Sequence, residues 1–224
     1  MAPTAEPTED VSFDGDADGL EDTYEPAFGT DPTKKDSDGN VLTDGDEVYQ
    51  FGTGPANADS DSDELVDADE IFEYSTDPNN PDSDFEKVSD SNEIKTWIRL
   101  DPNNPDSDGD GLSDGEEIYT YGTNSAELDT DYDGLTDGQE VLTYGTDPAN
   151  ADSDADGITD SNEVDTFPGL DPLNPDSDGD GFVDGEEQSK YGSSPTTFDT
   201  DGDGFNDGAE VTAGSNPAEA TSHP

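Results

Sequence analysis

Residues 106–117 read DSDGDGLSDGEE, with Asp at positions 1, 3, 5 and 9, Gly at 6 and Glu at 12. This is the donor order of a calcium loop of the EF-hand type. Positions 1, 3, 5 and 9 bring side-chain oxygens, the last often through water. Position 7 brings a backbone carbonyl, position 12 a bidentate Glu, and Gly at 6 allows the sharp turn. A hard divalent cation takes oxygen donors, and alternating Asp residues let several converge from one short segment. The stretch therefore predicts Asp106, Asp108, Asp110, the Leu112 carbonyl, Asp114 and Glu117 as metal ligands.

The pattern recurs nine times, starting at residues 14, 36, 59, 82, 106, 129, 152, 176 and 199, with steps of 22 to 24 residues. A period this regular marks a repeat array, not a series of unrelated domains. Loop one offers Asp14, Asp16, Asp18, the Leu20 carbonyl, Asp22 and Glu25. Loop two offers Asp36, Asp38, Asn40, Asp44 and Glu47, and loop three Asp59, Asp61, Asp63, Asp67 and Glu70. Loop four has Asp82, Asp84, Glu86, Asp90 and Glu93, and loop six Asp129, Asp131, Asp133, Leu135, Asp137 and Glu140. Loop seven has Asp152, Asp154, Asp156, Ile158, Asp160 and Glu163. Loop eight supplies Asp176, Asp178, Asp180, Phe182, Asp184 and Glu187, and loop nine Asp199, Asp201, Asp203, Phe205, Asp207 and Glu210. Of the 45 carboxylate slots only Asn40 is not acidic, so 44 of the 62 acidic residues stand in ligand positions. An acidic surface evolved for solvation alone would scatter them.

Loops two to four carry Val41, Glu64 and Lys87 where the others have Gly at position 6. These side chains resist a positive φ, so weaker binding or an altered geometry is expected there. A slower rhythm overlies the first. SNEIKTWIRLDPNNPDSDGDGLSDGEE (91–117) matches SNEVDTFPGLDPLNPDSDGDGFVDGEE (161–187), which groups the repeats in threes from residue 82 onward.

The elements that hold the loops follow from the intervening residues. Segments such as DPNNP and DPLNP before a loop cannot be helical, so each unit lacks the leading helix of an EF-hand. After the loop comes E-φ-x-x-aromatic-G, as in EIYTYG (117–122). This predicts a helix of about two turns ended by Gly, with Asp at 9 and Glu at 12 as a D-x-x-E capping box. A thin core is expected from position 7, position 13 (Ile94, Ile118, Val141, Val164) and position 16 (Phe51, Tyr74, Trp97, Tyr121, Tyr144, Phe167, Tyr191). Asp31, Asp77, Asp101, Asp147 and Asp171, five residues before a loop, are either turn residues or additional metal ligands. The expected fold is mostly irregular with short helices: a calcium-stapled linear array over 14–217, with tails at 1–13 and 218–224.

Loop and linker together, D-x-D-x-D-G-x-x-D-G-x-E followed by YGTDPxNxD, resemble the bacterial thrombospondin type 3 repeat over about residues 14–217. That resemblance implies calcium-dependent, rod-like segments of surface or secreted proteins, and the loop Asp and Glu residues as the calcium ligands. The vertebrate form has disulfides between repeats, whereas this chain has no Cys.

Composition narrows the functions. The chain has 224 residues, net charge −56 and 26% apolar residues. Such a field repels nucleic acid and anionic membranes, and no stretch reaches a membrane span. MAPTAEPTEDVSF has neither a basic nor an apolar region of a signal peptide. With no Cys and one His, His223, nucleophilic and zinc catalysis lack their residues, so no enzyme is expected. The expectation is an extracellular or cell-surface calcium-binding structural protein: a stalk or spacer, or a filament subunit whose partner is itself, head to tail. A calcium buffer or sensor, or an acidic halophilic surface without dedicated sites, is the alternative.

Overall fold

A computed structural model describes residues 13–97 and 100–222; the 1–12 part of the N-terminal tail and His223 lie outside the described residues. The chain forms two compact units, Met1–Pro105 and Asp106–Pro224. Each is a succession of the same module: a twelve-residue loop, a short helix beginning at loop position 9 (at position 12, Glu25, in repeat one), and a connecting turn. Among the described residues there is no strand beyond an isolated bridge at Pro168 and Leu170. The mostly irregular repeat array expected from the sequence is what forms.

The helix in repeats two, three, five, six and eight changes character midway. Asp114–Glu116 is α-helical and Glu117–Tyr121 is a π-helix. The left-handed Gly122 (φ 76°) closes it by donating its N–H to the Glu117 carbonyl at 2.6 Å, five residues back. The cause is spacing. Four residues stand between Glu and the left-handed residue in these repeats, Gly in all but repeat three, where it is Ser75 (φ 62°), and a terminator there pulls the last turn open to i→i−5. Repeats one and nine have three residues between them, Glu25 to Gly29 and Glu210 to Gly214, and end in α geometry.

The helix start differs from the expected capping box. The N-cap is position 8, not 9: Ser113 Oγ accepts from Glu116 N–H and the Glu116 carboxylate accepts from Ser113 N–H. Asp114 is the first helical residue, and its carboxylate turns back into the loop. Glu116 is the cap partner, although it looks merely solvated in the sequence.

The core also departs from expectation. Position 7 is buried in repeats one to seven (Leu20, Leu42, Leu65, Val88, Leu112, Leu135, Ile158), but Phe205 is 45% exposed. The position-13 residues are only half-buried, as are most position-16 aromatics, while Trp97 and Tyr121 are exposed. Tyr49, Phe72 and Tyr119 at position 14 face solvent. The reason is what fills the middle of each module. Nine of the twelve largest fully buried side chains are the position-12 glutamates. The interior is carboxylate, and the apolar side chains form a partial cover around it.

Position 6 takes positive φ throughout, including Val41 (84°), Glu64 (82°) and Lys87 (84°). Their amides bond the first Asp of the loop as the glycines do: Val41 N–H to Asp36 Oδ2 at 3.0 Å, against Gly111 N–H to Asp106 Oδ2 at 3.1 Å. Loops two to four thus keep the loop geometry and carry backbone strain instead of distortion. Val41 is 82% exposed, so its side chain contributes little burial. Val41→Gly is therefore expected to stabilise the chain by about 1 kcal/mol, measured as a higher denaturant midpoint in calcium; a lower midpoint would refute the strain.

Candidate metal centre

Each loop wraps its own carboxylates into a defined pattern of acceptors. The position-1 Asp anchors the turn, Asp106 Oδ1 accepting from Gly109 N–H at 2.8 Å and Oδ2 from Gly111 N–H at 3.1 Å. The position-3 Asp uses one oxygen, Asp108 Oδ1 accepting from Asp110 N–H at 3.1 Å. Its other oxygen is buried without a hydrogen-bond partner, and the same holds for Asp16, Asp38, Asp61, Asp84, Asp131, Asp154, Asp178 and Asp201. The position-12 glutamates add further buried oxygens without a partner, among them Oε2 of Glu47, Glu70, Glu117, Glu140 and Glu187. Ligand oxygens of Asp14, Asp16 and Asp18 lie within 4.8 Å of one another, as do those of Asp59, Asp61 and Asp63, of Asp106, Asp108 and Asp110, and of Asp84, Glu86 and Glu93.

A buried acceptor without a donor costs several kcal/mol unless something positive meets it, and here they come in convergent sets. The loops offer oxygen donors only, with no His or Cys, which suits a hard divalent cation. Electrostatics agree. Burial first, then the neighbouring carboxylates, pushes Glu70, Glu117, Glu140, Glu163 and Glu187 from 4.5 up to about 8. The same causes, with burial first, raise Asp108 and Asp131 to about 6.

The position-9 Asp has a role that spacing does not reveal. Asp114 accepts from the Ser107 amide at 2.9 Å and from its hydroxyl at 2.6 Å. Asp44, Asp67, Asp90, Asp137, Asp160 and Asp207 are held likewise by Ser or Thr at position 2. Asp184 accepts from the Ser177 amide and Asp22 from the Gly15 amide. This Asp closes the loop on itself. The position-2 hydroxyl also accepts from the turn before it, as Asp147 N–H to Ser153 Oγ at 2.9 Å, so it ties turn, loop and helix together. The recurring D-[ST]-D at the loop start was the available signal.

The position-5 Asp joins successive repeats. Asp110 Oδ1 accepts from Leu112 N–H at 2.8 Å and Oδ2 from the Gly138 amide of the following repeat. Asp63 with Ser91, Asp133 with Ser161, Asp156 with Gly185 and Asp180 with Gly208 repeat this bond. A cluster of Asp18, Glu25 and Asp44 also spans two repeats, all three buried.

The linker aspartates are placed in turns. Asp77 accepts from Asn79 N–H, Asp101 from Asn103 N–H, Asp147 from Ala149 N–H and Asp171 from Leu173 N–H, at 3.1–3.2 Å. Asp31 takes the Thr33 amide and hydroxyl. Nearby Asn57, Asn150 and Asn174 donate to the carbonyl of loop position 1. The position-7 residues of the ligand set, such as Leu112 and Leu135, bury their side chains beneath the loop.

Comparison with known proteins bears on these loops. The model of the bacterial TSP3 repeat matches residues 106–126, 129–151, 176–196 and 199–220. No curated protein matches. Two solved structures share segments with the chain. One is described as biofilm associated protein, B domain: 42% identity, TM-score 0.20, covering 20% of this chain and 11% of that one. The other is biofilm associated protein, BSP domain: 44% identity, TM-score 0.18, covering 19% of this chain and 7% of that one. The chain thus spans about a tenth or less of the length of both.

Proposed function

We propose, for a chain that carries bacterial thrombospondin type 3 repeats, that it is a structural protein in which calcium fills the carboxylate loops and stiffens the array. The observation that carries this is the set of buried, unpartnered oxygens at positions 3 and 12 in every repeat outside the fourth, converging with the other loop carboxylates. A second support is charge. Nine divalent ions would change the net charge from −56 to −38 (−56 + 18) and remove like-charge repulsion where carboxylates crowd most.

Calcium rather than magnesium fits a loop of many flexible oxygen donors. Affinities of extracellular calcium modules, on the order of 10⁻⁴–10⁻³ M, suit a protein outside the cell, and a stalk or spacer at the surface is the role proposed. Among the described residues no helix is long and apolar enough to cross a membrane.

Equilibrium dialysis with ⁴⁵Ca tests the reading. About one ion or more per loop is expected at millimolar calcium; fewer than two ions per chain would overturn it. Sedimentation in calcium and then in chelator decides between spacer and filament. A monomer in both supports the spacer, and calcium-dependent polymers would assign self-association instead.

A further inference from the structure

The position-12 glutamates of repeats one to three and five to nine fall into two classes, set by whether a hydroxyl at position 18 reaches the carboxylate. In repeats two, three, five, six and eight one carboxylate oxygen is taken by a hydroxyl at position 18. Thr53 donates to Glu47 Oε1 at 3.2 Å, Thr76 to Glu70 at 3.2 Å, and Thr123 to Glu117 at 3.1 Å. Thr146 donates to Glu140 at 3.2 Å and Ser193 to Glu187 at 3.1 Å. Only Oε2 is then left without a partner. In repeats one, seven and nine both oxygens of Glu25, Glu163 and Glu210 are buried and unpartnered.

The backbone explains the split. The π turn spends an extra residue before the left-handed terminator, which carries the following hydroxyl round to the Glu side chain. In repeats one and nine the terminator comes one residue earlier. There the hydroxyls of Thr30 and Ser215 reach the main-chain carbonyls of Glu25 and Glu210 instead, at 3.2 and 3.1 Å. Repeat seven has Gly169 at position 18 and no hydroxyl to offer.

We infer that the position-18 hydroxyl sets cation selectivity. This rests on the calcium reading above. A Glu with both oxygens free can chelate through two, and so complete the larger shell that calcium takes. A Glu whose Oε1 also accepts from the position-18 hydroxyl keeps a lone pair on that oxygen but has it held toward the hydroxyl, which weakens it as a second ligand and favours the smaller ligand count that magnesium also accepts. Loops one, seven and nine are therefore calcium-selective, and loops two, three, five, six and eight exchange calcium for magnesium. Burial of the glutamates, 0–1% exposed, prevents solvent from erasing the distinction.

The test is metal analysis of the full chain after dialysis in micromolar calcium with a large excess of magnesium chloride. Two classes are expected in the wild type, one retaining calcium and one holding magnesium. In Thr123→Val/Thr146→Val, retained calcium is expected to rise by about two ions per chain, while Thr123→Ser/Thr146→Ser matches wild type. Uniform exchange of all ions in the wild type would overturn the inference, as would a folded Val variant with unchanged retained calcium. If the Val variant does not fold, the wild-type classes decide. Binding of neither ion would instead defeat the calcium reading itself.

Discussion

Chelation of divalent ions at pH 8 is expected to abolish most of the helical circular-dichroism signal, and added calcium to restore it. Each repeat buries a glutamate at position 12 and half-buries an Asp at position 3, with three carboxylates within 4.8 Å in several loops. Two charges 4 Å apart repel by about 4 kcal/mol at an effective dielectric near 20. The apolar core that would have to resist this is one buried side chain at position 7 in each of repeats one to seven, supplemented by half-buried neighbours. On the calcium reading proposed above, the binding energy of the metal is folding energy. A chain that kept its helix signal without ions would disprove the claim.

The same carboxylates give the ion-free chain an unusual pH dependence. Glu117, Glu140 and Glu163 are raised from 4.5 to about 8 by burial and by neighbouring carboxylates. The ion-free folded chain therefore binds more protons than the unfolded chain between those values. Stability from these groups is fully present below about pH 4.5 and lost as pH rises to about 8. In chelator, more helix is expected at pH 5 than at pH 8. Calcium affinity should run the other way and rise with pH over the same window, because the ion must displace those protons. A chelated chain that melted identically at both pH values would contradict the burial of these groups.

Gly138→Val is expected to destabilise the second unit by about 3 kcal/mol, from overpacking and a lost hydrogen bond to a charged group. A Cβ on Gly138 would lie 2.3 Å from the Asp110 carbonyl oxygen and 3.0 Å from its carbon. The clash is with backbone, so no rotamer change relieves it. Moving the repeats apart would break the Gly138 N–H bond to Asp110 Oδ2. Gly45, Gly185 and Gly208 meet the preceding repeat in the same way, at 2.3–2.7 Å from a carbonyl oxygen. Repeat seven shows which substitution the seam tolerates. Ser161 stands at this position, keeps its N–H bond to Asp133 Oδ2 at 2.7 Å, and donates its hydroxyl to the Asp133 carbonyl. Gly138→Ser meets the same Cβ clash but can regain a hydroxyl bond to the Asp110 carbonyl as Ser161 does with Asp133, so it is expected to cost less than Gly138→Val. Denaturant titration in saturating calcium reads both; an unchanged midpoint for Gly138→Val would show that the seam does not require Gly there.

Much of the loop was legible in the residues because twelve contiguous positions build it. The alternating carboxylates, the turn at position 6 and the helix after position 9 are local, and they formed where the pattern put them. Position 6 adopts positive φ even at Val41 and Lys87, since the amides of the loop converge on one Asp and no other backbone reaches it. The helix-capping role was misplaced by one residue. Ser113 and Asp114 can both cap on sequence grounds, and only the Ser107 bonds to Asp114 remove the latter from competition. The apolar stripe at positions 13 and 16 was read as core because helical spacing shows which residues share a face, not what that face meets.

By itself, then, the sequence determined the period and the oxygen-only donor sets that suit a hard cation, both properties of short segments. The tertiary structure decided the rest through contacts between residues distant in sequence. The 28-residue reach from Asp110 to Gly138 makes position 10 a seam, and the enclosure of Glu117 and its equivalents makes the interior acidic. Whether a hydroxyl meets a glutamate carboxylate or its carbonyl depends on one residue of helix phase. None of these is a pattern of residue types. The seam depends on the register in which one repeat lies against the next and the hydroxyl contact on how the last helical turn closes within a repeat, and together they fix which oxygens are turned away from water.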